Sequence, residues 1–232
     1  MKDLAVIETI LRNRDIFFSE IRDGIELPQK LRAMFLSSLA FFALYGAVMG
    51  SSHSFWQALS SAVKLPILFL ATLLICAPTL YFFNVLYGSN QNLTQNVALI
   101  LTALTVTAVL LLSFAPISLF FLLTTSQYQF LKLLNVAIFA ISGVIGVYFL
   151  GQGMRIVSAN AAVAEVGTQA RVWVLRLWIV VYAFVGSQMA WTIRPFIGAP
   201  SMKFELFRQL GGNFYTNILA SLGEIFGFFI VR

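Results

Sequence analysis

Five stretches of this chain stay apolar for about the length needed to cross a lipid bilayer, and no other feature constrains its fold as strongly. They fall at about 33–49, 65–87, 96–115, 130–150 and 172–193. Backbone N–H and C=O groups find no partners in lipid, so a spanning stretch must be a helix or a closed-barrel strand. Runs this long without apolar–polar alternation are helical. Composition agrees: 59% of the residues are hydrophobic and 10% are charged, where a soluble domain carries about 25% charged residues. The 23 Phe suit lipid-facing helices and interface belts. The expected fold is all-α: a polytopic transmembrane helical bundle of about five spans, with an amphipathic N-terminal helix and an interfacial C-terminal helix.

Three regions follow. Residues 1–32 read as a cytoplasmic amphipathic helix and linker, 33–194 as the transmembrane domain, and 195–232 as an exit loop followed by an amphipathic or membrane-inserted helix. Over residues 3–24, Leu4, Ile7, Leu11, Phe18 and Ile21 recur near one face, with Arg12, Arg14, Asp15 and Arg22 elsewhere. Gly24 is the expected stop. This segment is too charged to span, so it lies on the membrane surface or packs under the spans. It lacks the apolar core of a signal peptide and is expected to be retained. Pro28 reads as a bend before a basic anchor at Lys30 and Arg32.

Further along, Ser54 is expected to cap a short helix with Phe55, Trp56, Leu59 and Val63 on its apolar side, and Trp56 and Lys64 suit the interface. Pro66 falls in the first turn of the second span, where its missing N–H costs little. Pro78 is expected to kink that span, and Pro116 to divide the third apolar run into a span and an extension. Gly46 with Gly50, and Ser142 with Gly146, place small residues four apart, which permits close helix approach. Thr102, Thr105 and Thr107 can bond back to carbonyls of their own helix. In the last segment Asn213, Asn217, Ser221 and Glu224 form one polar stripe. An ionised Glu at the bilayer centre costs about 2.5–3.5 kcal/mol or more, which favours a surface-lying helix.

Orientation follows from basic residues flanking the spans. With the N-terminus cytoplasmic, that side holds Lys2, Arg12, Arg14, Arg22, Lys30, Arg32, Arg155, Arg171 and Arg176, nine in all. The far side holds Lys64, Lys132, Arg194, Lys203 and Arg208, five in all. The imbalance predicts a cytoplasmic N-terminus. The Asn92-Leu93-Thr94 sequon then faces the cytoplasm and stays unglycosylated. The expected setting is a bacterial cytoplasmic membrane, or a thylakoid in a phototroph.

The formal charge is +6. Because the basic residues are spread along the chain near the ends of apolar runs, they set topology rather than mark nucleic-acid binding. Cys76 is the only cysteine, which excludes an intrachain disulfide and a cysteine zinc site. His53 is the only histidine and sits in the first loop; one imidazole there builds no haem or pigment cage. No H-E-x-x-H or G-x-G-x-x-G pattern occurs. No apolar stretch holds Asp or Glu except the last, with Glu224. No catalytic, cofactor or metal site is expected, and the chain is expected not to be an enzyme. Asn84, Asn135 and Gln188 are the candidate interhelical polar contacts. The segment from Trp191 to Arg208 combines an arginine at a span's end with prolines and aromatics. It makes Trp191, Arg194, Phe204 and Arg208 the candidate contacts for a partner or a lipid headgroup.

"KLPILFLATLLICAPTLYFFNVLYG", "SFAPISLFFLLTT", "LLNVAIFAISGV" and "FVGSQMAWTIRPFIGAP" together resemble a bacterial family of small polytopic membrane proteins. The resemblance covers most of residues 60 to 210. Members are labelled hypothetical or given an actin-binding Wiskott-homology name that nothing in this sequence supports, so the resemblance implies a membrane fold and no defined activity. The five-span plan is also similar to Yip-type membrane proteins of the early secretory pathway, and a shared plan does not give function. The function expected by elimination is an accessory, scaffold or assembly subunit. It would contact the lipid bilayer and other membrane-protein subunits, or a second copy of itself. The alternative is a transporter or channel for a small neutral or lipidic solute, with Asn84, Asn135, Gln188 and the threonines lining its path.

Overall fold

The computed structural model describes residues 2–51, 53–86, 91–125, 127–157, 165–198, 204–208 and 211–226, without the side chains of 2–4, 84, 86 and 165–172. Among the described residues there are eight helices and no strand: α1 (Lys2–Arg12), α2 (Arg14–Asp23), α3 (Leu27–Gly50), α4 (Phe55–Leu86), α5 (Leu93–Thr124), α6 (Tyr128–Val157), α7 (Glu165–Thr192) and α8 (Phe214–Ile225). Helices α3 to α7 are long and apolar enough to cross a membrane. The protein is an integral membrane, all-helical bundle.

The spanning helices exceed the apolar runs that announce them. Helix α4 is 32 residues and passes without interruption through Pro66 and Pro78. Helix α5 is also 32 residues and continues through Pro116. The expected separate helix before the second span is therefore the first part of α4, and the expected division at Pro116 is absent. In a bundle, neighbouring helices and local adjustments supply the hydrogen bond that proline removes. Asn92 starts α5 with a reciprocal cap: its side chain accepts from the Gln95 backbone N–H, and the Gln95 side chain accepts from the Asn92 N–H, both at 3.0 Å.

The spans pack in the order α7–α4–α3–α5–α6. Helix α5 is the most enclosed, with 61% of its most apolar stretch buried; for α7 the share is 6%. Close approach depends on the small residues. A Cβ on Gly46 would strike the Ser61 carbonyl, one on Gly50 the Gln57 carbonyl, and one on Gly146 the Thr107 hydroxyl. The core has two storeys. One gathers Phe17, Phe18, Met34, Leu80, Leu99, Leu150 and Trp178 at the end where the N-terminal helices pack. The other gathers Phe42, Tyr45, Leu65, Leu111, Ile138 and Ile197 toward the opposite end.

Polar side chains bond both within and between the spans. Thr102, Thr105 and Thr107 donate to the carbonyls of Ala98, Leu101 and Ala103 at 2.7, 2.8 and 2.9 Å. Ser38 of α3 also meets Thr105 at 3.0 Å. Trp178 of α7 donates to the Cys76 carbonyl of α4 at 2.9 Å.

The N-terminal amphipathic segment is two helices rather than one. It breaks at Asn13, which has φ −128° and ψ 49°. Asn is a weak helix former, and the two halves bury different faces. Helix α1 packs on α3, while α2 packs on α6 and α5. Ile7 and Ile10 are buried from α1, and Phe17, Phe18 and Ile21 from α2. Phe18 fills the space over Gly153, where a Cβ would collide with its ring. Gly24, at φ 73°, ends α2 in the left-handed conformation. The bend expected at Pro28 is instead the first turn of α3. Lys30 is no headgroup anchor: it is buried, pairs with Glu20 at 3.0 Å and donates to the Ile25 carbonyl at 2.6 Å.

Candidate functional site

The chain leaves α7 at Thr192 and folds back over the start of α4. Polar side chains on one face of α4 hold it there. Gln57 donates to the Pro195 carbonyl at 3.0 Å and Ser61 to the Phe196 carbonyl at 2.6 Å. The Lys64 ammonium donates to the Pro195 carbonyl at 3.2 Å and also to the Leu206 carbonyl. It lies 4.9 Å from the Phe207 ring centroid. Gln57, Ser61 and Lys64 are all buried. Among the described residues no carboxylate pairs with Lys64; its charge rests on carbonyl dipoles and an aromatic face. The His53 ring packs so closely on Gly198 that a Cβ there would overlap it.

Phe55, Trp56, Leu59 and Val63 share one apolar side, as expected, whereas Lys64, expected at the interface, is buried on the other. Phe55, Trp56, Leu59 and Val63 point outward, with 76%, 64%, 49% and 54% of their surface exposed. Lipid is the solvent there, so the apolar side faces out and the polar side is enclosed.

Of the candidate contact residues, the structure brings together Trp191, Arg194 and Arg208. The Arg194 guanidinium carbon sits 3.3 Å from the Trp191 ring centroid, and its Nη1 donates to the Trp191 carbonyl at 3.3 Å. The Arg208 backbone N–H donates to the Arg194 carbonyl at 3.2 Å. Its side chain pairs with Glu205 at 3.4 Å. Burial, and after it the charge of Arg208, push the Arg194 guanidinium below its usual range. Phe204 is in the same segment with 40% of its surface exposed. Trp191 also donates from its indole to the Gly212 carbonyl at 3.2 Å, which leads the chain into α8.

Helix α8 then crosses to the start of α6, and its polar stripe faces that helix. Lys132 donates to Asn217 Oδ1 at 2.8 Å, Gln129 donates to Glu224 Oε2 at 2.7 Å, and Ser221 donates to Gln129 Oε1 at 3.0 Å. On the α7 side, Tyr215 meets Ser187 at 3.0 Å and stacks near Phe184, with ring centroids 6.3 Å apart. At 12 residues, this described part of the segment is shorter than the ~20 residues a span needs.

The candidate interhelical residues are not gathered in one place. Asn135 is buried in the bundle, where its Oδ1 accepts from Tyr45 at 2.8 Å and from Ser118 at 3.2 Å. Gln188 is half-buried on α7, and its backbone carbonyl accepts from Thr192 at 2.8 Å. Asn84 lies in α4, its side chain outside the described ones. Among the described residues, no group of three or more His, Cys, Asp or Glu is placed to hold a metal ion.

Gln57, Ser61, Lys64, Gln129 and Lys132 were not singled out from the sequence as site residues. One signal was present: Gln57, Ser61 and Lys64 recur at helical spacing opposite Phe55, Leu59 and Val63.

Comparison of the chain with protein-family models, with curated proteins and with solved structures finds no match in any of the three.

Proposed function

We propose that this chain is a non-enzymatic accessory or scaffold subunit that packs beside another membrane protein. The observation that carries this reading is the contrast between α5 and α7. The first is enclosed by its neighbours, while α7 leans on α4 and α8 and leaves an apolar face uncovered. Trp173, Leu177, Val180 and Phe184 are exposed there by 69%, 62%, 65% and 53%. An aromatic-rich helix face with little support inside its own chain suits docking against a neighbouring helix. One polar cluster of the central bundle favours the same reading, because its members bond to one another. The Tyr45, Ser118 and Asn135 side chains form one cluster. The transporter alternative needs Asn135 to line a path, and that amide is already engaged. Basic residues flanking the spans further support a cytoplasmic N-terminus, and a bacterial cytoplasmic membrane is the proposed setting.

A photo-crosslinking residue at Val180 or Phe184, activated in the native membrane, tests this. The expected result is an adduct of one discrete higher mass. Adducts with lipid alone, together with a monomeric mass after mild solubilisation, count against the proposal.

A further inference from the structure

Helix α3 has little length to spare. Arg32 is its last charged residue, and only residues 33–50 remain before the helix ends. They rise about 27 Å, close to the ~30 Å of a hydrocarbon core. A bilayer crossed by α3 must then end near Gly50, on the side away from α1 and α2. The other helices take their levels from this one. A Cβ on Gly50 would strike the Gln57 carbonyl and one on Gly46 the Ser61 carbonyl, so Ser61 lies about 6 Å below that boundary. The short side chain of Ser61 donates to the Phe196 carbonyl at 2.6 Å, which brings irregular backbone to the same depth. Helix α7 stops deeper. A Cβ on Gly186 would meet Thr72 at 3.6 Å. Thr72 is 15 residues past Gln57 and Thr192 is six past Gly186, which puts Thr192 about 13 Å down. Arg176 agrees. It precedes Thr192 by 16 residues, about 24 Å, and would sit inside the hydrocarbon if α7 ended at the boundary.

Helix α8 begins beside this deep part of α7 and ends at the boundary. Tyr215, in its first turn, meets Ser187 at 3.0 Å and lies with its ring centroid 6.3 Å from that of Phe184. At the other end Glu224 accepts from Gln129 at 2.7 Å. The level of Gln129 follows from Asn135, which bonds to Tyr45. Tyr45 is five residues short of Gly50, and Gln129 is six residues nearer the end of α6 than Asn135, so Gln129 returns to about the level of Gly50. The 12 residues of α8 extend about 18 Å, enough for that climb. Glu224 thus comes out where a carboxylate escapes the cost of the bilayer centre.

The bonding fits lipid rather than water. Irregular backbone at membrane depth must find partners inside the protein. Gln57 and Lys64 donate to the Pro195 carbonyl, Ser61 to that of Phe196, the Arg208 N–H to that of Arg194, and the Trp191 indole to that of Gly212. The start of α8 closes on itself, with Asn213 and Thr216 exchanging bonds at 2.9 and 3.2 Å. The polar stripe of α8 turns inward onto Gln129 and Lys132, while Leu219 and Phe226 are 66% and 70% exposed on the outside. A helix lying on the membrane surface turns its polar side out to water.

We propose that residues 194–198 and α8 form a re-entrant element of the leaflet opposite α1 and α2. The chain leaves α7 below the boundary, and α8 climbs back to the same side with its apolar face on the acyl chains of that leaflet. Helix α8 neither spans the membrane nor lies on its surface. The placement goes beyond the accessory-subunit reading and holds equally for a transporter.

The test places a nitroxide on Leu219→Cys and on Phe226→Cys, each in the full chain reconstituted into dioleoyl phosphatidylcholine vesicles. All the labelled positions are exposed, so the fold is retained. Cys76 is buried and takes no label in the unaltered chain, which serves as the blank. Electron paramagnetic resonance then compares collisions with oxygen, which concentrates in lipid, and with a water-soluble nickel chelate. Val144→Cys, on the exposed face of α6, marks the hydrocarbon, and Ser51→Cys, just after α3, marks the boundary. The oxygen-to-nickel ratio at Leu219 is expected to exceed that at Ser51 several-fold and to approach that at Val144. The Leu219 label should lie about 5–10 Å deeper than the Phe226 label, given the rise of the residues between them. A ratio at Leu219 no higher than at Ser51 overturns the proposal in favour of a surface-lying helix. A Phe226 label deeper than the Leu219 label overturns it in favour of a segment that heads across the membrane.

Discussion

The hydroxyl of Tyr45 donates to Oδ1 of Asn135 at 2.8 Å, joining α3 to α6 across the buried centre of the bundle. Ser118 of α5 donates to the same oxygen at 3.2 Å, and Asn135 Nδ2 donates to the Leu131 carbonyl at 2.8 Å. Three spans thus share one acceptor. Tyr45→Phe is expected to lower stability by about 0.6–2 kcal/mol, the range for polar contacts between membrane helices. A double-mutant cycle with Ser118→Ala, read by denaturant titration in detergent, should give a non-zero coupling energy. Strict additivity would mean that the shared oxygen couples nothing.

The glycine seams predict a contrast between positions of one residue type. At Gly46, added carbon meets the backbone of α4 at Ser61, which cannot swing aside. Gly46→Val should therefore cost about 1–3 kcal/mol or more, by forcing α3 away from α4. At Gly143 a Cβ meets nothing within 4 Å. Gly143→Ala should be neutral or slightly stabilising, since Ala is the better helix former. Melting temperatures of the two variants check this; a similar fall in both would show that helix propensity, rather than close approach, sets the cost.

The five spans were legible because each apolar run is about long enough to cross a bilayer and none of the five carries Asp or Glu. The internal partners were less so. Residues 55–63 show the reason: the period of Phe55, Leu59 and Val63 marks a helix face, but not whether that face meets protein or lipid. In a membrane the assignment inverts, and the buried side carries Gln57, Ser61 and Lys64. Lys30 misled in the same way. A lysine before an apolar run reads as an anchor, yet its partner Glu20 comes from the preceding helix. Arg194 and Trp191 stood out because they are near neighbours in the chain. Lys132 did not, since its partner Asn217 is 85 residues away.

The Lys64 ammonium is the clasp of the returning segment. Lys64→Met keeps a chain of similar length but removes the donors to the Pro195 and Leu206 carbonyls. The expected result is faster trypsin cleavage after Arg208, by about tenfold, if the lost hydrogen bonds are worth roughly 1.5–3 kcal/mol as bonds to charged groups usually are. Lys64→Arg should retain part of the protection. An unchanged cleavage rate in Lys64→Met would show that the segment is held by Gln57, Ser61 and apolar packing alone.

Asn96 and Asn135 carry the same amide on facing helices, and they should respond with opposite signs to the same change. Both are buried, with 1% and 2% of their surface exposed. Asn135 has partners for both ends of its amide. Asn96 has none for either end among the described residues. A buried polar group without a partner costs about 1–3 kcal/mol of desolvation, and replacing it with an apolar group of similar shape recovers that cost. Asn96→Leu should therefore raise the unfolding midpoint. Asn135→Leu should lower it, because the Tyr45 and Ser118 hydroxyls lose their shared acceptor. The two variants, unfolded side by side in the same detergent, give a direct comparison. A loss of stability in Asn96→Leu as large as that in Asn135→Leu would mean that the Asn96 amide is satisfied in the membrane.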